Sequence, residues 1–186
     1  MTQSEKILTA AFDCISSKGY ANVSLREIAE EAGVVLSQLN YYYKNKEGLF
    51  IEVLRMMMQK YLQEVEAHIK TGISPKEKMM SLIKYFQVML DENPKLFKLL
   101  YDFAGLSLWT PMFAELLREL FNDLATLINQ HILNDISATN NLHGYTTTAI
   151  ARLLFGAMFG TAIQVILDPQ EKDLPEALKA IELVIA

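Results

Sequence analysis

Between Ser24 and Tyr43 the sequence SLREIAEEAGVVLSQLNYYY sets two short apolar-periodic runs on either side of a glycine, and this narrows the fold more than any other feature of the chain. Helices of about nine residues are marginal alone in water, so two in succession must hold each other by packing. Gly33 supplies the positive φ that a tight turn between crossed helices needs. Ala29, just before it, is small enough to let the second helix approach. The order Ile28-Ala29-x-x-x-Gly33-Val34-x-x-x-x-Leu39 has the spacing of a helix-turn-helix, although any corner between two helices can carry it.

The rest of the chain announces its helices as plainly. Thr2-x-x-Glu5, Ser24-x-x-Glu27 and Ser74-x-x-Glu77 have capping-box spacing, in which the cap hydroxyl takes one free N–H and the glutamate reaches back to another. Pro75, Pro94 and Pro111 each follow a capping residue, the order favoured at a helix start. Gly19, after Ser16-Ser17-Lys18, reads as a left-handed cap closing the first helix. No alternating β-branched run appears, so an all-α fold is expected. The helices fall near 2–18, 24–32, 35–43, 46–70, 75–92, 94–107, 111–135, 145–167 and 174–185, with a polar loop over Ile136–Thr146. The length allows one domain or a small and a larger module, and the expected division is a three-helix, helix-turn-helix domain over residues 1–50 and a larger helical domain over 51–186.

On a wheel of 100° per residue, Leu36, Leu39 and Tyr43 lie within about 60° of one another and make the inward stripe of the second short helix. Ser37, Gln38 and Tyr41 lie opposite, with Asn40 and Tyr42 on the flanks. Such an outward face suits a DNA major groove, because Gln and Asn pair with adenine edges and ring carbon meets a thymine methyl. Lys46, opening the next helix, adds a charge to free backbone N–H groups and suits a phosphate. An ordinary solvated helix face has the same periodicity. Charge gives no independent support: the chain has a net charge of −5, and residues 1–50 carry five Lys/Arg against six Asp/Glu. DNA binding would depend on where a few charges point.

The segment VSLREIAEEAGVVLSQLNYYYKNKEGLF, preceded by the helix KILTAAFDCISSKGY, resembles the DNA-binding segment of the TetR family of bacterial transcriptional repressors. The resemblance implies a homodimer that presents two recognition helices to a near-palindromic operator, with a helical C-terminal domain for ligand binding and dimerisation. Carried over by motif position, it makes Ser24, Arg26, Ser37, Gln38, Asn40, Tyr41, Tyr42 and Lys46 the DNA-contacting residues. Arg26 is the second-helix residue expected to reach a base. Three departures from the family pattern stand out: Val35 where a capping Ser or Thr is common, Asn40 for a frequent Tyr, and the inward Leu36 at a position often polar.

Aromatic residues and methionines concentrate after residue 50. They are raw material for a core or for an adaptable apolar cavity. Together with the resemblance they nominate Met57, Tyr61, Tyr85, Phe86, Met89, Phe103, Trp109, Phe113, Phe155 and Phe159 as ligand-lining candidates for a small apolar or amphipathic effector. Asp102 is read instead as one half of an exposed pair with Lys98. The run Thr148–Leu167 is apolar nearly all round and contains Gly156-x-x-x-Gly160, which points to close packing against another element. With the last helix it nominates Arg152, Gly156, Gly160, Ile163, Leu178, Ile181 and Ile185 for a dimer interface; burial within one subunit is the alternative, and Arg152 and Gln164 interrupt a membrane span.

His68, His131 and His143 are scattered without ligand spacing, so no metal and no cofactor are expected. No nucleophile, base and orienting group recur together, which argues against an enzyme. The single cysteine, Cys14, sits at helical spacing among apolar residues and reads as a buried small side chain. It excludes an intrachain disulfide, and with no leader-like N-terminus it leads to an expectation of a cytoplasmic protein. The expected partners are operator DNA, a second copy of the chain and an effector. A regulator without an effector, a helical small-molecule-binding protein or enzyme, and a protein-interaction adaptor are the competing classes.

Overall fold

A computed structural model describes residues 2–134, 144–171 and 173–181. Among them there is helix and no strand: α1 (Gln3–Lys18), a 3₁₀ turn (Tyr20–Asn22), α2 (Leu25–Glu31), α3 (Leu36–Tyr42), α4 (Lys46–Ile69), α5 (Pro75–Glu92), α6 (Pro94–Ser107), α7 (Pro111–Ile128) with a π-helical turn (Asn129–Leu133), α8 (Thr147–Leu167) and α9 (Leu174–Lys179). The all-α expectation is met, and most helices start where their caps stand. Thr2 and Ser24 form complete capping boxes with Glu5 and Glu27. At the third start Ser74 accepts from the Glu77 N–H, and the Glu77 carboxylate takes the N–H of Ile73 at 2.9 Å.

Two expectations change. The helix foreseen over 111–135 is α-helical only to Ile128, then widens into the π-helical turn. The last helix, expected over 174–185, runs from Leu174 to Lys179 among the described residues. Much of the expected loop over Ile136–Thr146 lies outside them.

The chain divides into two compact units, one made of residues 1–60 and 98–114, the other of 61–97 and 115–186. In the first, α1, α2 and α3 pack on Ile7, Ala11, Ile15, Ile28, Ala29 and Leu39, all buried. An aromatic cluster continues this core: the Phe50 ring lies 4.7 Å from that of Tyr20, 5.5 Å from Phe113 and 6.4 Å from Phe103.

In the second unit α8 turns Ile150, Ala151, Leu154, Met158 and Ala162 inward, where the π-helical turn and α9 meet it. Gly72, in the turn before α5, is required by close approach: a methyl there would run into the backbone of Glu77 and Lys78. Helix α8 is long and apolar enough to cross a membrane, yet only 28% of its most apolar window is buried. It therefore carries an apolar face that its own unit leaves open.

Candidate functional site

The α2–α3 corner is built by backbone rules. Gly33 has φ 66°, its N–H donates to the Glu30 carbonyl, and the Val34 N–H donates to the Ala29 carbonyl. These two bonds make the Schellman closure of α2, which needs a residue with positive φ at that position. Ser24 closes the other end of α2, accepting from the Glu27 N–H while the Glu27 carboxylate takes the Ser24 N–H at 2.7 Å. Those bonds, with Lys18 3.2 Å away, hold the Glu27 carboxyl down at about 2. Helix α3 lacks a side-chain cap, because Val35 has no acceptor to offer.

The exposures sort the tyrosine triplet. Tyr43 is 8% exposed, Tyr42 43% and Tyr41 85%, while Leu39 is wholly buried. The Tyr43 hydroxyl is hydrogen-bonded to Ser4 at 2.9 Å, which ties the end of α3 to the start of α1. Ser37, Gln38 and Asn40 are exposed with Tyr41, and Ser24 and Arg26 are exposed on α2. Leu36 is half-buried. The face so formed is polar, aromatic and open to solvent.

Lys46 differs from a loose surface lysine. Its Nζ lies over the Tyr20 ring, 4.5 Å from the centroid, and burial lowers its pKa against the opposing pull of Asp102 and Glu27. Asn45 caps α4 by accepting the Gly48 N–H at 2.7 Å, a cap that the sequence reading missed although Asn before a helical run is its usual signal. Tyr42, Lys44, Asn45 and Gly48 line an open surface groove of about 640 Å³ together with Ser4 and Met112.

Asp102 corrects an expectation. It is half-buried, and its Oδ2 accepts the backbone N–H of Tyr20; no ion pair with Lys98 forms among the described residues. A helical wheel ranks only the faces of its own helix, and this partner lies 82 residues away in sequence.

The ligand-lining candidates fall in both units. In the first unit Met57, Phe103 and Phe113 are buried core, and Trp109 is 86% exposed, which corrects its expected place in a lining. In the second unit Tyr85 donates to Glu64 at 2.7 Å and stacks with His68, while Tyr61 accepts from Asn93 at 3.1 Å. Burial and the Glu64 carboxylate push the Tyr85 phenol well up. Phe86 meets Phe97, Phe155 lies between Phe121 and Phe159, and Met89 is half-buried. The second unit thus offers apolar rings with a short row of polar groups along α4 and α5.

The dimer candidates separate in the same way. Arg152, Gly156 and Ile163 are exposed on α8, Gly160 is half-exposed, and Arg152 donates to Asn122 at 2.8 Å. A methyl added at Gly156 or Gly160 would meet nothing within 4 Å. The expectation for Leu178 and Ile181 is corrected, since both are buried in their own unit where α9 docks on α8 and α5. Ile185 lies outside the described residues. No group of His, Cys, Asp or Glu among the described residues is arranged to hold a metal ion.

Residues 7–53 match the family described as bacterial regulatory proteins, tetR family. The fatty acid metabolism regulator protein of Bacillus subtilis is 30% identical over 89 residues, which are 47% of this chain and 46% of that protein. The HTH-type transcriptional regulator RutR of Escherichia coli K12 is 43% identical over 61 residues, 33% of this chain and 29% of that protein. The matched segment thus spans less than half the length of these curated relatives. In fold, FadR from Bacillus subtilis in complex with stearoyl-CoA superposes with a TM-score of 0.80 at 22% identity, over 98% of this chain and 97% of its own. A TetR transcription regulator from Haloarcula marismortui gives 0.84 at 19% identity, over 98% and 96%.

Proposed function

We propose that this chain, which belongs to the tetR family of bacterial regulatory proteins by its residues 7–53, is a cytoplasmic, ligand-responsive transcriptional repressor. It acts as a homodimer on a near-palindromic operator and releases it when a small apolar or amphipathic effector binds in the helical part of the chain. It is not an enzyme. The observation that carries the reading is the division of α3: Leu39 and Tyr43 are buried while Ser37, Gln38, Asn40 and Tyr41 stand free on the other side. A helix anchored on one face and unencumbered on the other can enter a major groove without unpacking.

Each contact class has its residues. Gln38 and Asn40 suit adenine edges, the Tyr41 ring suits a thymine methyl, and Arg26 suits guanine. Ser24, Ser37, Tyr42 and Lys46 suit the backbone, and Lys44 shares with Tyr42 the groove at the start of α4. The open face of α8 supports self-association. Its exposed face runs through Ala149, Arg152, Leu153, Gly156, Ala157, Ile163 and Leu167, and its glycines are open within the subunit. A second copy related by a two-fold axis would cover that face and give the glycines the close neighbour that one subunit does not provide.

The effector class is supported by the composition of the second unit, which combines aromatic rings with the hydrogen-bonded pairs Tyr85–Glu64 and Asn93–Tyr61. The Bacillus subtilis structure of the same fold holds stearoyl-CoA, an amphipathic acyl thioester. Such a molecule can act only by binding one arrangement of the two recognition helices better than the other. The test is a gel shift with a duplex spanning the region upstream of its own coding sequence, run with and without an acyl-CoA series. Salt-sensitive binding that Tyr41→Ala weakens is expected. Binding to none of the promoters of its own and neighbouring operons at low salt would sink the reading.

A further inference from the structure

Helix α6 brings Asp102 and Phe103, adjacent in sequence, onto the same small turn of the first unit. Asp102 accepts the backbone N–H of Tyr20, and Phe103 meets Phe50 edge-on at 6.4 Å. Phe50 is stacked on the Tyr20 ring at 4.7 Å. Helix α6 therefore holds Tyr20 twice, by its backbone and, through Phe50, by its ring. The turn itself is set by Gly19, whose φ of 81° with ψ of 151° lies in a region that only glycine adopts readily. On this doubly held ring rests Lys46, with its ammonium 4.5 Å from the centroid.

We propose that Asp102 is a positioning residue for DNA binding: by fixing the Tyr20 backbone it fixes the ring that carries Lys46, and so sets Lys46 in place to meet a phosphate. This rests on the DNA-binding reading above. A lysine laid on a fixed ring has already given up much of its rotamer freedom, so little remains to be lost on contact with the duplex. Without the Asp102 bond Tyr20 would keep the Phe50 stack but lose its backbone tie. The ring and the lysine on it would lose their fixed position, and the phosphate contact would be weakened without any change in the base-reading face of α3.

The test is fluorescence anisotropy across a salt series, with two labelled duplexes of equal length: the region upstream of the protein's own coding sequence and a random sequence. Lys46→Gln should reduce the slope of log affinity against log salt by about 0.9 per subunit, the value for one lost phosphate contact. Asp102→Ala should reduce it by the same amount on both duplexes, and the double variant should lose no more than Lys46→Gln alone. Asp102→Asn, whose amide oxygen still accepts the Tyr20 N–H, should keep the wild-type slope. A wild-type slope in Asp102→Ala, an Asp102→Asn slope that falls with it, or a full further loss in the Lys46→Gln background would each overturn the positioning role. Should Asp102→Ala fail to fold by circular dichroism, Tyr20→Leu keeps the N–H, removes the ring and carries the same expectation and the same refutation. A wild-type protein that binds neither duplex at low salt overturns the DNA-binding reading as well, and so is distinguishable.

Discussion

The Tyr43 hydroxyl and the Ser4 hydroxyl lie 2.9 Å apart, joining the end of α3 to the first turn of α1 across 39 residues of sequence. Two positions away, Tyr41 is 85% exposed, and its ring meets that of Tyr42 edge to face at 5.4 Å. Substitutions at the two tyrosines should therefore fail in opposite ways. Tyr43→Ala is expected to destabilise the first unit by about 3 kcal/mol, as for a large buried ring, and Tyr43→Phe by about 1 kcal/mol for the lost hydrogen bond. Tyr41→Ala should stay within about 0.5 kcal/mol of wild type and weaken DNA binding. Urea melts followed by anisotropy titrations on the same preparations decide between these outcomes.

Val35 leaves α3 without a side-chain cap and is 62% exposed, so little packing is lost if it is replaced. Val35→Thr should stabilise the protein by about 0.5–2 kcal/mol, read as a shift in the urea midpoint at unchanged slope. A midpoint that does not move would mean that the start of α3 is already satisfied by solvent.

The Glu27 carboxyl, held near 2 first by the Ser24 N–H, then by the Ser24 hydroxyl and Lys18, links stability to pH. Its folded value is depressed below the ordinary 4.5, so its contribution is complete above that pH and is lost as pH falls toward 2. Glu27→Gln should lower the Tm at neutral pH, and the gap to wild type should close progressively below about pH 4.5. A gap that stays constant through acid would show that the carboxylate charge is not what closes α2.

Nothing within 4 Å of Gly156 or Gly160 in the subunit resists a side chain. Gly156→Leu should then leave the secondary structure of the subunit intact, and helix propensity favours the change by somewhat under 1 kcal/mol. If α8 faces a second copy, the same change should raise the dimer dissociation constant, measured by sedimentation equilibrium, and reduce DNA binding in parallel. An unaltered dimer would move the interface off this face.

The helix starts were legible in the sequence because their signals are local. A hydroxyl, a glutamate on the next turn and a proline just inside the helix act within a few residues, and the structure places Thr2, Ser24, Ser74 and Pro75 as those signals require. The split of the tyrosine triplet was legible for the same reason, since one helix wheel decides it. What depends on tertiary partners was not. Asp102 looked like a surface pair with Lys98 because a wheel has no knowledge of the Gly19–Tyr20 turn that comes to meet it. Leu178 and Ile181 looked like interface because their helix is apolar, yet α9 spends that face inside its own unit. The widening at Asn129–Leu133 has no local signature at all, since the residues would continue an ordinary helix.

On the proposed function, the exposed face of α3 reads DNA as one half of a symmetric pair. Selection from a random duplex library by the purified protein at moderate salt tests it most directly. Enrichment of a near-palindrome whose half-sites lie about one helical turn, or a multiple of it, apart is expected. Gln38→Ala should relax preference at an adenine position while the spacing stays fixed. Recovery of no sequence above the random background, at salt low enough to retain any basic contact, would contradict it.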